Sequence, residues 1–300
     1  MCLQQRWLAL AILALLCVPV IGYGQEKDKA KPVLTVIDNN GKEHKLSSWT
    51  FTEGTKTLPW LADKQHPKGV EVLEFSEGKG VPLKTRVLTW VPLKHIRSLT
   101  FDNEKSTVTL RIAKSDVTDL VMEGVTGYVG CNVLAIEAEA DFGDFGKAEV
   151  KFKGGVPRGI KKIIFPGAVP VSSAKAKLSA KITASDKAKT VHEVTNPIPV
   201  YVGDKQALVL DNELRFQKTI KIGLDKLKSL TLVGNGSARD GLVFDVALPS
   251  GQQKPLVLIQ RRINAKKRPE FLLGLIAETQ TGYKLFPMQV IAEAQFMKQE

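Results

Sequence analysis

Apolar and polar residues alternate with a period of two along most of the chain, the pattern of strands that bury one face. "VLTVIDNNGKEHKL" (33–46) is two such runs around Asn40-Gly41, a dipeptide suited to a hairpin turn. "STVTLRIA" (106–113), "NVLAIEAEADFG" (132–143), "KAEVKFKGG" (147–155), "GLVFDVALPSGQQKPLVLIQ" (241–260) and "EFLLGLIAETQTGYKLFP" (270–287) alternate or run apolar between Gly, Pro or Asn. No stretch carries the 3.6-residue period of a long helix. The expectation is an all-β fold.

One apolar pattern recurs. "VPLKHIRSLTF" (91–101) has an isoleucine three residues after its leucine and closes on Leu-x-Phe. An apolar residue followed five places later by Phe or Leu returns in "VPRGIKKIIF", "IGLDKLKSLTL" and "FPMQVIAEAQF", with anchors at Ile96, Ile160, Leu227 and Ile291. The second copy is one residue shorter and has Arg158 or Gly159 where the others place Leu93, Leu224 and Met288, and the third lacks the proline. The steps are 64, 67 and 64 residues, and alternate anchors are 131 apart, the spacing of a duplicated pair of units. Proline suits the first position of a helical turn, so Leu93 and Ile96 are expected on one side of a short 3₁₀ turn. Leu99 and Phe101 then alternate with Ser98 and Thr100 as a strand, while Lys94, Arg97, Lys161, Lys162, Asp225 and Lys228 point outward.

These features predict two related β domains of sandwich or small-barrel type at 31–165 and 197–297, each made of two units of about 65 residues. Between them, residues 166–196 are rich in Ala, Lys, Ser and Thr and read chiefly as a linker, with "KLSAKIT" (177–183) as a candidate partial strand. A turn feeding a last strand is how SH3-like and Sm-like barrels close. "VPLKHIRSLTF" and "VPRGIKKIIF" resemble the Ile-Pro-Leu-x-x-Ile-x-x-Ile-x-Phe segments of exported proteins of planctomycete-type bacteria. That resemblance implies a β-rich exported module and transfers no catalytic residue.

Composition adds location and charge. Arg6 precedes an apolar run from Trp7 to Val20 and a small-residue Gly22-Tyr23-Gly24, so residues 1–24 read as a secretory signal. The run is shorter than the roughly 20 residues of a bilayer span, so no integral span is expected after its removal. An extracytoplasmic protein, periplasmic or secreted, follows. Without residues 1–24, which carry Arg6, Cys2 and Cys17, the chain holds 42 basic and 31 acidic residues, a formal charge of +11, and Cys131 as its one cysteine, so no intrachain disulfide is expected.

Candidate chemistry is sparse. His44, His66, His95 and His192 have no metal-ligand spacing, no phosphate loop or nucleophile elbow occurs, and neither metal nor cofactor is expected. Ser237 and Cys131 read as turn or core residues, and Asn235-Gly236-Ser237 matches a glycosylation acceptor. Glu137, Glu139 and Asp141 share one strand face, which suggests either a carboxylate-dependent hydrolase or acids that neutralise nearby lysines. The basic runs are the candidate polyanion sites: Arg261, Arg262, Lys266, Lys267 and Arg268 in one group, and Arg158, Lys161 and Lys162, with Lys151 and Lys153, in another. The expected function is a non-catalytic exported binding or structural protein whose partner is an anionic cell-envelope polymer or another envelope protein. A carboxylate hydrolase and Sm-like nucleic-acid binding are the alternatives.

Overall fold

The computed structural model describes residues 33–62, 66–76, 87–102, 107–113, 120–122, 135–153, 159–171, 175–185, 188–204, 207–217, 219–235 and 241–299. The fold is all-β, with antiparallel pairing throughout these residues. The first eleven strands are β1 (Leu34–Asp38), β2 (Glu43–Glu53), β3 (Thr55–Leu58), β4 (Val70–Ser76), β5 (Leu88–Pro92), β6 (Ile96–Asp102), β7 (Thr107–Ile112), β8 (Leu120–Met122), β9 (Ala135–Asp141), β10 (Lys147–Lys153) and β11 (Ile160–Ile164). Then come β12 (Leu178–Ala184), β13 (Val191–Val202), β14 (Leu208–Leu210), β15 (Glu213–Phe216), β16 (Ile220–Gly223), β17 (Ser229–Asn235) and β18 (Leu242–Ala247). The last five are β19 (Gln253–Leu258), β20 (Arg261–Ile263), β21 (Pro269–Thr279), β22 (Gly282–Pro287) and β23 (Ile291–Lys298). One sheet runs β10-β9-β2-β1-β11-β6-β7-β8, and the other contains the path β18-β17-β23-β12-β13-β21-β22-β5-β4-β3.

The four anchors are all buried, at 0, 1, 3 and 0% exposure for Ile96, Ile160, Leu227 and Ile291. Three of them follow a single 3₁₀ turn, Leu93–His95, Leu224–Lys226 or Met288–Val290, and the anchor N–H closes each turn on its first carbonyl. Pro92 and Pro287 sit one place earlier than expected. They end the preceding strand in extended geometry, with φ −58° and −55°, and Gly223 does the same in the third corner. Residues 154–158, which lead into the Ile160 corner, lie outside the described set.

Register repeats along with sequence. Lys162 pairs with Thr100, Ile163 with Leu99 and Ile164 with Ser98; Ser229 pairs with Gln295, Leu230 with Ala294 and Thr231 with Glu293. Counted from the anchors, both sets match positions +2, +3 and +4 of one strand with +4, +3 and +2 of the other. Phe165 N–H donates to the Arg97 carbonyl and Phe296 N–H to that of Lys228, both at 2.9 Å, again +5 to +1. The hairpins alongside agree: Val36 faces His44 and Ile182 faces His192. The two imidazoles lie 5.1 and 5.2 Å from Phe152 and Phe286. Both long strands bulge beyond this point, with Ser48 and Asn196 at φ 51° and 48°.

Two expectations about domain limits are corrected. The proposed linker 166–196 contains β12, which lies between β23 and β13, and the start of β13. Its small residues are inner positions: Ala180 is buried opposite Phe296, so a small side chain accommodates a large one across the ladder. In addition, β5 joins β22 through Trp90–Tyr283, Thr89–Lys284 and Leu88–Leu285, although these strands belong to different expected domains. Leu58, Val70, Val72 and Trp90 pack with Val200, Ile276 and Leu285 in a core of their own at this junction. The two larger cores draw on 34–165 and, apart from Val87, on 178–296.

Candidate functional site

The run "QRRINAKKRPE" forms a hairpin on the rim of the second sheet. Arg261 pairs with Phe271, Arg262 with Glu270 and Ile263 with Pro269. Asn264 builds the turn: its N–H donates to the Arg268 carbonyl and its own carbonyl accepts from Lys267 N–H, both at 2.9 Å. Its side-chain Oδ1 also accepts from Lys266 N–H at 2.9 Å and Arg268 N–H at 3.0 Å. Such a loop needs a left-handed residue in fourth place. The same hydrogen-bonded loops at 38–42 and 248–252 use Gly41 and Gly251 there, whereas this one uses Lys267 at φ 58°.

Alternation along the strands separates the basic residues. Arg262 turns inward, its side chain 10% exposed, and its guanidinium carbon lies 3.7 Å from the centre of the Tyr201 ring. Its Nε donates to Glu270 Oε2 at 2.7 Å, and its Nη1 pairs with Asp211. The Asn264 amide donates to the other Glu270 oxygen at 2.9 Å. Asn264 first, and then Arg262, hold the Glu270 carboxyl below its ordinary pKa against the opposing effect of burial. Burial alone would lower the Arg262 pKa, but Glu270 and Asp211 outweigh it and push the value up. Arg268 pairs with Asp204. Arg262 is thus committed to the hairpin's interior, whereas Arg268 and Asp204 form an exposed surface pair.

Arg261, Lys266 and Lys267 remain exposed, and no carboxylate among the described residues pairs with them. Arg261 lies over the Phe271 ring, 5.9 Å from its centre. Phe271 and Ile263 are 51 and 55% exposed on the same outward face. The hairpin therefore presents cations and apolar side chains together, above a buried ionic base.

The second basic group does not assemble in the same way. Lys161 is the extra, exposed residue of a bulge between Ile160 and Lys162, and Lys162 is half-buried between Thr100 and Ile37. Lys151 pairs with Glu137, while Arg158 and the Lys153 side chain lie outside the described residues. The acidic strand face is likewise neutralised across its ladder: Glu139 pairs with Lys147 at 3.1 Å, and Asp141 Oδ1 accepts the Gly143 N–H at 2.9 Å. These carboxylates lie along a strand rather than facing one another, as general acid and base must across a glycosidic bond.

The histidines are dispersed: His44 Nε2 contacts Asp38 at 3.1 Å and His95 Nδ1 donates to the Val169 carbonyl at 2.7 Å. No group of three potential metal ligands occurs among the described residues. Ser237, Cys131 and the 1–24 segment lie outside them. A shallow cleft of about 440 Å³ lined by Lys221, Lys226, Lys298 and Asp225 was not expected, because its lysines come from separate elements. The hairpin's partners Tyr201, Asp204 and Asp211 carried no local signal either, lying some fifty or more residues before the arginines they hold. No family model, curated protein or solved structure matches the chain.

Proposed function

We propose that this chain is an exported, non-catalytic binding or structural protein of the cell envelope, made of a duplicated pair of β units, and that it engages an anionic envelope component through the 261–268 hairpin. The observation that carries this reading is the set of unpaired cations Arg261, Lys266 and Lys267 on a support fixed from below by Arg262. Charges without local partners, on a rigid element, interact with an outside anion at little ordering cost. The matching registers and corners support the duplication, and the apolar N-terminal run with its small-residue end supports export.

The test is retention of the chain from Gln25 onward on immobilised polyphosphate as salt is raised. Affinity is expected to fall with a log–log slope that becomes shallower by about two to three when Arg261, Lys266 and Lys267 are replaced. An unchanged slope in the triple variant overturns the assignment.

A further inference from the structure

We infer that the anionic component is a lipid bilayer surface, which the hairpin enters with Ile263 and Phe271 while Arg261, Lys266 and Lys267 meet the headgroups. This deepens the function proposed above and rests on it. A soluble polyphosphate is captured by charge alone, and exposed apolar groups add nothing to its binding. Here a phenylalanine and an isoleucine, each about half exposed, occupy the outward face beside an arginine, with two lysines at the adjoining tip. Apolar side chains that sink below headgroups, with cations left at headgroup level, are the elements of interfacial attachment.

A second observation comes from the loop itself. Two other loops of identical hydrogen bonding have glycine in the left-handed position, and this one holds Lys267 there at φ 58°. A side chain in that conformation is disfavoured relative to glycine, and although Lys189 and Gln217 adopt it in other turns at φ 47° and 52°, this loop type takes glycine in its two other copies. The lysine adds a cation at the outermost point of the hairpin, where a bilayer surface meets it first. The other prominent apolar tip, Phe142 and Phe145 between β9 and β10, is 48 and 94% exposed but flanked by Asp141 and Asp144. An anionic surface repels that tip, which makes it an internal control.

Binding of the chain from Gln25 onward is measured by co-sedimentation with vesicles of phosphatidylcholine alone and of phosphatidylcholine mixed with phosphatidylglycerol, and in parallel with polyphosphate. Partition into the mixed vesicles is expected, weak on phosphatidylcholine alone. Replacing Arg261 and Lys266 by Ser and Lys267 by Gly lowers partition by roughly a hundredfold, at about fivefold per cation. Ile263→Ser with Phe271→Ser lowers it roughly tenfold and leaves polyphosphate binding intact. Phe145→Ser changes nothing. Lys267→Gly alone weakens binding while raising the unfolding midpoint, which separates lost contact from lost fold. Phe271→Trp, read by its emission, shifts to the blue on mixed vesicles. If the Ile263/Phe271 double variant binds vesicles as the parent does, or the emission of the Phe271→Trp variant is unmoved, the lipid assignment fails. Polyphosphate binding without vesicle binding overturns the lipid inference and leaves the proposed function standing; binding to neither overturns both.

Discussion

Replacing Arg262 by Ala tests whether the hairpin is held from inside. The guanidinium is 10% exposed, its Glu270 partner 6% and its Asp211 partner 22%. Removing it leaves a buried carboxylate with one remaining donor, Asn264, and takes a cation from the face of Tyr201. Breaking a fully buried pair costs about 3–5 kcal/mol, and the partial exposure of Asp211 places the expected loss near the lower figure, about 3 kcal/mol. Arg262→Met with Glu270→Gln is expected to cost less than Arg262→Ala alone, because the buried Glu270 charge goes with its partner and the charge left behind, Asp211, is part-exposed.

The pH dependence has a definite sign. The folded-state pKa of Glu270 is depressed, so its contribution is present above the ordinary carboxylate pKa and is lost as pH falls through the folded value. In Arg262→Ala the Asn264 share of that contribution stays and the Arg262 share is gone, so the gap between variant and parent narrows below about pH 4. Urea unfolding should be followed by both tryptophan emission and far-ultraviolet circular dichroism. Trp60 and Trp90 sit at the junction core, and Trp49 packs on the first large core, so emission alone misses local unfolding around Arg262. A loss under about 0.5 kcal/mol by both probes, well short of a broken buried pair, or a gap that widens on acidification, refutes the buried-base account.

Gly274→Ala drives a Cβ into the Phe286 carbonyl oxygen, backbone that cannot turn aside. A loss of at least about 2 kcal/mol in urea unfolding is expected, by overpacking. Cleavage engineered at Lys181 cuts β12 in the middle of its sheet, so limited proteolysis there is expected to unfold the second core rather than release two intact halves, as size exclusion and circular dichroism would report. His95 is held below its ordinary pKa chiefly by burial, with the Val169 carbonyl opposing and Lys94 assisting. Its contribution is therefore present above about pH 6.5 and lost as pH falls through the folded value, and His95→Asn should flatten the stability profile below about pH 6.5.

The corners were legible because each is local: an apolar anchor, a strand after it and, in three of the four, a leucine or methionine three residues before it. Burial of Ile96, Ile160, Leu227 and Ile291 needs only that pattern. The partners of those strands were not legible. Ile163 meets Leu99 across 64 residues and Leu230 meets Ala294 across the same span, and no local rule selects a contact at that distance. The linker expectation failed for a related reason. Leu178, Ala180, Ile182 and Ala184 do alternate with polar residues, but Ala180 and Ala184 carry little hydrophobic signal. What makes alanine right at 180 is Phe296 opposite, far away in sequence.

The charged run shows the same limit in functional form. In sequence, Arg261, Arg262, Lys266, Lys267 and Arg268 are one block. Strand alternation sends Arg262 inward, and two carboxylates that the chain supplied long before, Asp211 and Asp204, take Arg262 and Arg268. A net charge of +11 on the chain from Gln25 says how strongly it is drawn to any anion at long range, and salt screens that attraction over about 10 Å. Selectivity requires charges that remain unpaired beside something a mere polymer cannot use. Among the candidate cations described, Arg261, Lys266 and Lys267 meet that condition, because the hairpin that frees them also exposes Ile263 and Phe271. Two of them flank or occupy the loop's left-handed position, so the feature proposed to bind sits where folding alone favours glycine.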